Sequence, residues 1–120
     1  MSKIKIKAII KSNTTIHEFF GRAIKKDNII IYNDNNIITK INLNNPISIE
    51  RKKDYYLKLN FEGQKIKDGI YQTQEATFNI KTETKHISIK KNSIKIKYNL
   101  IINNVLVDTF LFSLQYTIDR

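Results

Sequence analysis

In this sequence apolar residues return at every second position, run after run. The first run, residues 3–11, reads KIKIKAIIK. It sets Ile4, Ile6, Ala8 and Ile10 on one side and Lys3, Lys5 and Lys7 on the other. Successive side chains of a strand point to opposite faces, so such a segment has one face for a core and one for water. The same alternation returns over 16–23, 28–32, 37–43, 47–53, 55–61, 70–74, 76–84, 86–90, 94–102 and 105–118. No segment keeps helical spacing. The nearest, 16–26, contains Gly21 and the adjacent Phe19 and Phe20, and it also reads as strand. Val, Ile, Thr, Tyr and Phe fill these runs, which suits a pleated, half-buried surface.

Pro46 and three glycines are scarce punctuation for so many strands. Asparagine takes over the turns, because it tolerates positive φ and bonds its own backbone. Asn-rich stretches fall at 33–36, 42–45, 91–93 and 103–104. Asn103 and Asn104 separate two long runs, and together they fit a two-residue type I′ hairpin. Tyr98, Leu100 and Ile102 face one way going in. Leu106, Phe110, Phe112, Leu114, Tyr116 and Ile118 face the same way coming back. The return run would be about 45 Å long if straight. A flat strand of that length is an exposed edge, and curling the sheet to meet another strand removes it. The first strand, with its lysine-studded outer face, is the expected partner. The chain therefore reads as one all-β domain over 1–120, an up-and-down antiparallel barrel of eight to ten strands.

Short motifs then point to a family. Arg51, Lys52 and Lys53 follow a strand. Phe61, Glu62 and Gly63 follow the next. Tyr71, Gln72 and Thr73 precede Gln74, Glu75 and Ala76, and Thr84 comes later. Tyr98, Asn99, Leu100, Ile101, Ile102, Asn103 and Asn104 close the set. From Phe20 onward the chain resembles the YwiB-like bacterial proteins, a family of unknown function. It departs from them where Lys53 replaces a glycine and where a Pro-Tyr-Gly triplet is missing after Thr73. The resemblance implies a calycin-like (lipocalin-type) barrel. Since calycins commonly bind lipophilic carboxylates, it also makes a ligand in the lumen an expectation.

Reaction chemistry is thinly represented. His17 and His86 are about 70 residues apart with no cysteine between them, whereas a zinc site needs three or four ligands. They read as two lone surface histidines. The stretch from His17 to Gly21 lacks a second zincin histidine, and no nucleophile elbow or phosphate loop is present. Gly63 and Gly69 read as turns. The expectation is a protein that is not an enzyme and carries no metal or cofactor.

Arg51 is the most informative residue. It shares parity with Ile47 and Ile49, so if they face inward, it does too. A buried guanidinium needs a partner. Three partners suggest themselves: a ligand anion, Asp108 on the parity of Leu106 and Phe110, or solvent at a strand end. With the inward aromatics, the ligand-binding candidates are Arg51, Phe61, Tyr71 and Tyr98. Thr73 joins them through the family motif alone. Phe78, Phe110, Phe112 and Tyr116 share the inward parities, which favours a filled barrel over an open cup.

Charge opens a second reading. The chain carries 21 basic and 11 acidic residues, a net +10. A basic surface binding nucleic acid or another polyanion is the alternative function. Against it stands amino-acid usage: Ile, Lys and Asn dominate while Ala and Arg are scarce. A filled barrel serving as a protein-interaction module is the third reading. No 18-residue apolar run marks a membrane span, and the alternating lysines interrupt any signal-peptide core. With no cysteine, the chain fits a reducing cytoplasm.

Overall fold

The computed structural model describes residues 1–118 of the chain. They form twelve strands: β1 Ser2–Lys11, β2 Ile16–Lys26, β3 Ile29–Asp34, β4 Ile37–Asn42, β5 Ile47–Lys52, β6 Tyr56–Phe61, β7 Ile66–Asp68, β8 Ile70–Gln72, β9 Thr77–Phe78, β10 Ile80–Lys90, β11 Ser93–Ile102 and β12 Val105–Ile118. There is no helix among them. All twelve join one antiparallel sheet in the order β7-β10-β11-β12-β1-β2-β3-β4-β5-β6-β8-β9. The expected closing contact is present. β1 pairs with β12 from Ile4↔Ile118 to Lys11↔Leu111.

The sheet curls into a barrel-like shape. Its far limbs meet where Asn60 Nδ2 donates to the Asp68 carbonyl at 2.9 Å and the Gly69 N–H donates to the Ile80 carbonyl at 2.9 Å. The Thr82 hydroxyl also donates to the Asn60 carbonyl. Gly69 is more than a turn residue. A Cβ there would lie 2.4 Å from the Lys58 carbonyl oxygen, so only glycine lets these backbones approach.

The all-β, barrel-like expectation holds. Twelve strands are present instead of eight to ten because the seam between β6 and β10 is built from three pieces of two or three residues. β7 comes from a stretch that reads as loop. The 76–84 run breaks at Asn79, leaving β9 before it and β10 after it.

Local signals were honoured at the turns. Asn103 and Asn104 have φ of 51° and 65°, the left-handed pair of a type I′ turn. Asn35 and Asn36 repeat the device between β3 and β4, at 53° and 68°. The alternation fails at two bulges. In β10 the register shifts between Thr84 and His86. In β12, Leu100 opposes Asp108 while Ile101 opposes Leu106, leaving Val107 as the extra residue. An extra residue reverses parity. Leu106 is accordingly 58% exposed instead of inward.

The barrel is filled. Ile4, Ile30, Ile41 and Ile96 are fully buried, and each such side chain contributes about 1.5–3 kcal/mol. Phe61 and Tyr98 lie across the middle with ring centroids 4.8 Å apart. Tyr98 stacks in turn on Phe110 at 5.6 Å.

Candidate functional site

The pairing pattern defines two ends. One gathers the β2–β3 turn, the β4–β5 loop and the β10–β11 turn. The opposite end gathers the β1–β2 loop, the β3–β4 turn, the β5–β6 loop and the β11–β12 hairpin.

Arg51 sits toward this second end. Its parity with Ile47 and Ile49 does carry it inward, and its side chain is 23% exposed. It does not meet Asp108. Its Nη2 donates to Asp34 Oδ2 at 3.3 Å. The same oxygen lies 2.7 Å from His17 Nε2. A carboxylate oxygen only accepts, so this geometry places the proton on Nε2. The Asp34 side chain is 8% exposed. His17 is thus tied to a carboxylate and is no lone surface histidine, whereas His86 is exposed and unpaired among the described residues.

Asp108 keeps the parity of Phe110, opposite Leu100, but lies at the end of the barrel beside the β1–β2 loop. It stays near the rim, accepting from Asn13 Nδ2 at 3.0 Å, Thr14 Oγ1 at 3.4 Å and its neighbour Thr109 N–H at 2.7 Å. That Thr109 N–H leads the bonds that hold its carboxyl below the usual range.

Of the other expected site residues, Tyr98 lies within the field of Arg51 and Phe61 packs on Tyr98, whereas Tyr71 and Thr73 line a separate cleft. Phe61 is fully buried and Tyr98 is 2% exposed, so both are core. Burial pushes the Tyr98 hydroxyl well above its ordinary pKa, against the field of Arg51. Burial likewise pushes Tyr32 up to about 12, again opposed by Arg51. Arg51 Nε is buried without a partner among the described residues. Thr84 Oγ1, on the β10 residue opposite Tyr98, is equally orphaned.

Tyr71 stacks on Phe78 at 5.1 Å and meets Tyr55 edge-on at 6.4 Å. Thr73 organises the turn after β8, its Oγ1 accepting from the Ala76 N–H at 3.1 Å. Tyr71 and Thr73 do share a cleft of about 240 Å³ with Asp54, Tyr55, Gln74 and Glu75. Two carboxylates line it, which disfavours an anion there.

The first end holds a different cleft, of about 250 Å³. Its apolar lining includes the inward residues Ile30, Ile94 and Leu114, with Tyr116, Leu43 and Ile89 around them. Lys25, Lys90 and Lys91 rim it, and no acid lines it. Lys25 shares the inward parity of Ala23 at the end of β2. The alternation therefore marks it, but nothing in the sequence unites it with the β10–β11 turn. Asp34 was missed for a plainer reason. It continues the parity of Ile30 and Tyr32, but the Asn-rich stretch 33–36 reads as a turn that begins two residues too early.

Among the described residues no three His, Cys, Asp or Glu side chains gather to hold a metal. No helix there is long and apolar enough to cross a membrane.

A family model described as a domain of unknown function (DUF1934) matches residues 3–114. This extends the sequence resemblance back across β1. The crystal structure of the ywiB protein from Bacillus subtilis has the same fold. It covers 94% of this chain and 89% of its own at 13% identity, with a TM-score of 0.59. No curated protein matches the chain.

Proposed function

The chain belongs to the DUF1934 family, and from that footing we propose that it is a binding protein and not an enzyme, taking a small amphipathic anion into the lysine-rimmed end of its barrel. One observation carries the reading: three cations, Lys25, Lys90 and Lys91, stand over an apolar floor in a cleft without a lining acid. Leu43, Ile89 and Tyr116, above the buried Ile30, Ile94 and Leu114, accept a short hydrocarbon, and the ammonium groups donate to its carboxylate.

The middle of the barrel is a poorer host. Phe61 and Tyr98 occupy it, and Arg51 already faces the Asp34 carboxylate. An anion beside Arg51 would meet that negative charge. The cleft volume also limits the occupant. About 250 Å³ falls below the roughly 300–1,000 Å³ of drug-sized sites, so a chain of six to eight carbons suits it better than a long fatty acid. An occupant of about ten non-hydrogen atoms at about 0.5 kcal/mol each gives about −5 kcal/mol, a Kd on the order of 0.2 mM.

Titrating octanoate against isotope-labelled protein tests this. Saturable shifts at Ile30, Asn92 and Ile94 are expected, with weaker binding in the Lys90→Gln, Lys91→Gln double variant. Octanol should bind less well than octanoate. Shifts centred on Arg51 and Tyr98, or none at about 1 mM ligand, would overturn the reading.

A further inference from the structure

The surplus of positive charge is spatially sorted. β11, β12, β1 and β2 are consecutive in the sheet. Their described residues carry nine cations and two acids, Glu18 and Asp108. Asp108 is taken up by Asn13 and Thr14. The remaining strands carry eight cations and four acids. There the charges are interleaved: Lys58 meets Glu50 at 3.7 Å, Lys67 meets Glu62 at 2.8 Å, and Lys85 meets Glu83 at 3.3 Å. A lysine-rich amino-acid usage explains how many lysines the chain has. It does not explain why these four strands carry nine cations to two acids while the others carry eight to four.

The register shows how that face is laid out. Lys3, Lys5 and Lys7 all point outward from β1, about 7 Å apart along the strand. Lys5 lies between Thr117 and Arg22, and Lys7 between Gln115 and Phe20. Lys95 and Lys97 point outward from β11, across β12 from this row. Between the two rows, β12 presents Leu111, Ser113, Gln115 and Thr117, the last three being uncharged hydrogen-bonding side chains. A shallow cleft of about 250 Å³ runs there, lined by Lys5, Lys7, Gln115 and Thr117.

Phe20 supplies the second observation. It is 62% exposed, although a side chain of that size is ordinarily placed in a core. It stands in the midst of the cations, with Lys7 Nζ 5.4 Å from its ring centroid. Its in-strand neighbour Phe19 turns inward and stacks on Tyr32 at 4.9 Å, so the core is already served.

We infer that this outer face of β11, β12, β1 and β2 binds single-stranded nucleic acid, with the lysines on phosphates and Phe20 as a platform for one base. Sequence-tolerant single-strand sites combine a basic track with an exposed aromatic on which bases stack. An acidic peptide would use the cations but has no need of the ring. A second copy of the chain would bring one basic face against another. A duplex hides its base faces, so the ring favours an open strand.

The test uses the full chain and a labelled oligothymidylate long enough to cross the four strands, followed by anisotropy over a salt series. Binding at low salt is expected, with a matching duplex binding more weakly. Replacing Lys3, Lys5 and Lys7 with Gln should lower the slope of log affinity against log salt by about 2, since each single-strand phosphate contact contributes about 0.7. Phe20→Ala should weaken binding about tenfold, within the range for loss of one stacked base, and leave the slope unchanged. Both changes are on exposed positions, and unaltered thermal melts confirm that folding is intact. Equal affinity for polyglutamate, or a Phe20→Ala variant that binds as tightly as the parent, would reduce the face to a general polyanion surface and overturn the inference. So would no binding at low salt.

Discussion

His17 Nε2 lies 2.7 Å from Asp34 Oδ2 although their strands have already parted. The β2–β3 ladder runs only from Lys26↔Ile29 to Ile24↔Ile31. Beyond it the strands diverge, and this side-chain bond, with the Phe19–Tyr32 stack, joins them again. Asp34 also accepts from Arg51 on β5, so one buried carboxylate ties three strands at one end of the barrel.

Asp34 is therefore expected to matter more than either partner. Asp34→Ala leaves Arg51 three-quarters buried without its counter-charge and should cost about 3 kcal/mol, the lower end for breaking a buried pair. Arg51→Leu leaves Asp34 its bond to His17 and should cost about 1–2 kcal/mol. Urea midpoints at constant m-value measure both. The opposite ranking would show that Arg51 and not Asp34 organises this end.

Phe61 tests whether the barrel centre is packed. Phe61→Ala removes a fully buried ring that touches Tyr98 and should cost about 3–5 kcal/mol. A loss below about 1 kcal/mol would mean that the middle is loosely filled.

Alkaline stability follows from the two buried tyrosines. Tyr32 is pushed up to about 12 and Tyr98 is raised in the same direction, from an ordinary value of 10.0. Between those values the native protein keeps protons that the unfolded chain has lost. Stability is therefore complete below pH 10 and falls as pH rises toward 12. Tyr32 alone should account for about 2–3 kcal/mol of that fall. Tyrosinate absorbance in the folded protein checks it: ionisation of all six tyrosines together near pH 10 would contradict the burial.

The Asn103–Asn104 turn should respond to backbone chemistry alone. Asn104 has a φ of 65°, which glycine adopts freely and a β-branched residue resists. Asn104→Gly should hold or raise the melting temperature. Asn104→Val should cost about 1–2 kcal/mol. Equal stability of the two variants would mean that the hairpin rearranges to another turn.

Gly69→Ala should destabilise the seam, because its Cβ would collide with the Lys58 carbonyl, which is backbone and cannot swing away. Hydrogen exchange at the amide of Gly69, which donates to Ile80, reports the opening directly. Unchanged protection there would show that the seam yields without cost.

The long strands, their inward faces outside the two bulges and the Asn-based hairpin were legible in the sequence. They depend on steric rules that act over two to four residues: the alternation of a pleated backbone and the tolerance of asparagine for positive φ. Even the β1–β12 contact was foreseeable, since two long edges must find cover. The partner of Arg51 was not. Parity says only that a side chain faces in, while the curl of the sheet decides which inward residues meet: Asp108 meets Asn13 and Thr14 at the rim, and Arg51 meets Asp34. The same holds for Lys25, Lys90 and Lys91, which are far apart in the chain and share one cleft. The order β11-β12-β1-β2 behind the cationic face around Phe20 follows from the hairpin and the closing contact. The curl of the sheet is set by long-range packing that no local pattern of residues encodes, and it alone decides which side chains of distant strands meet.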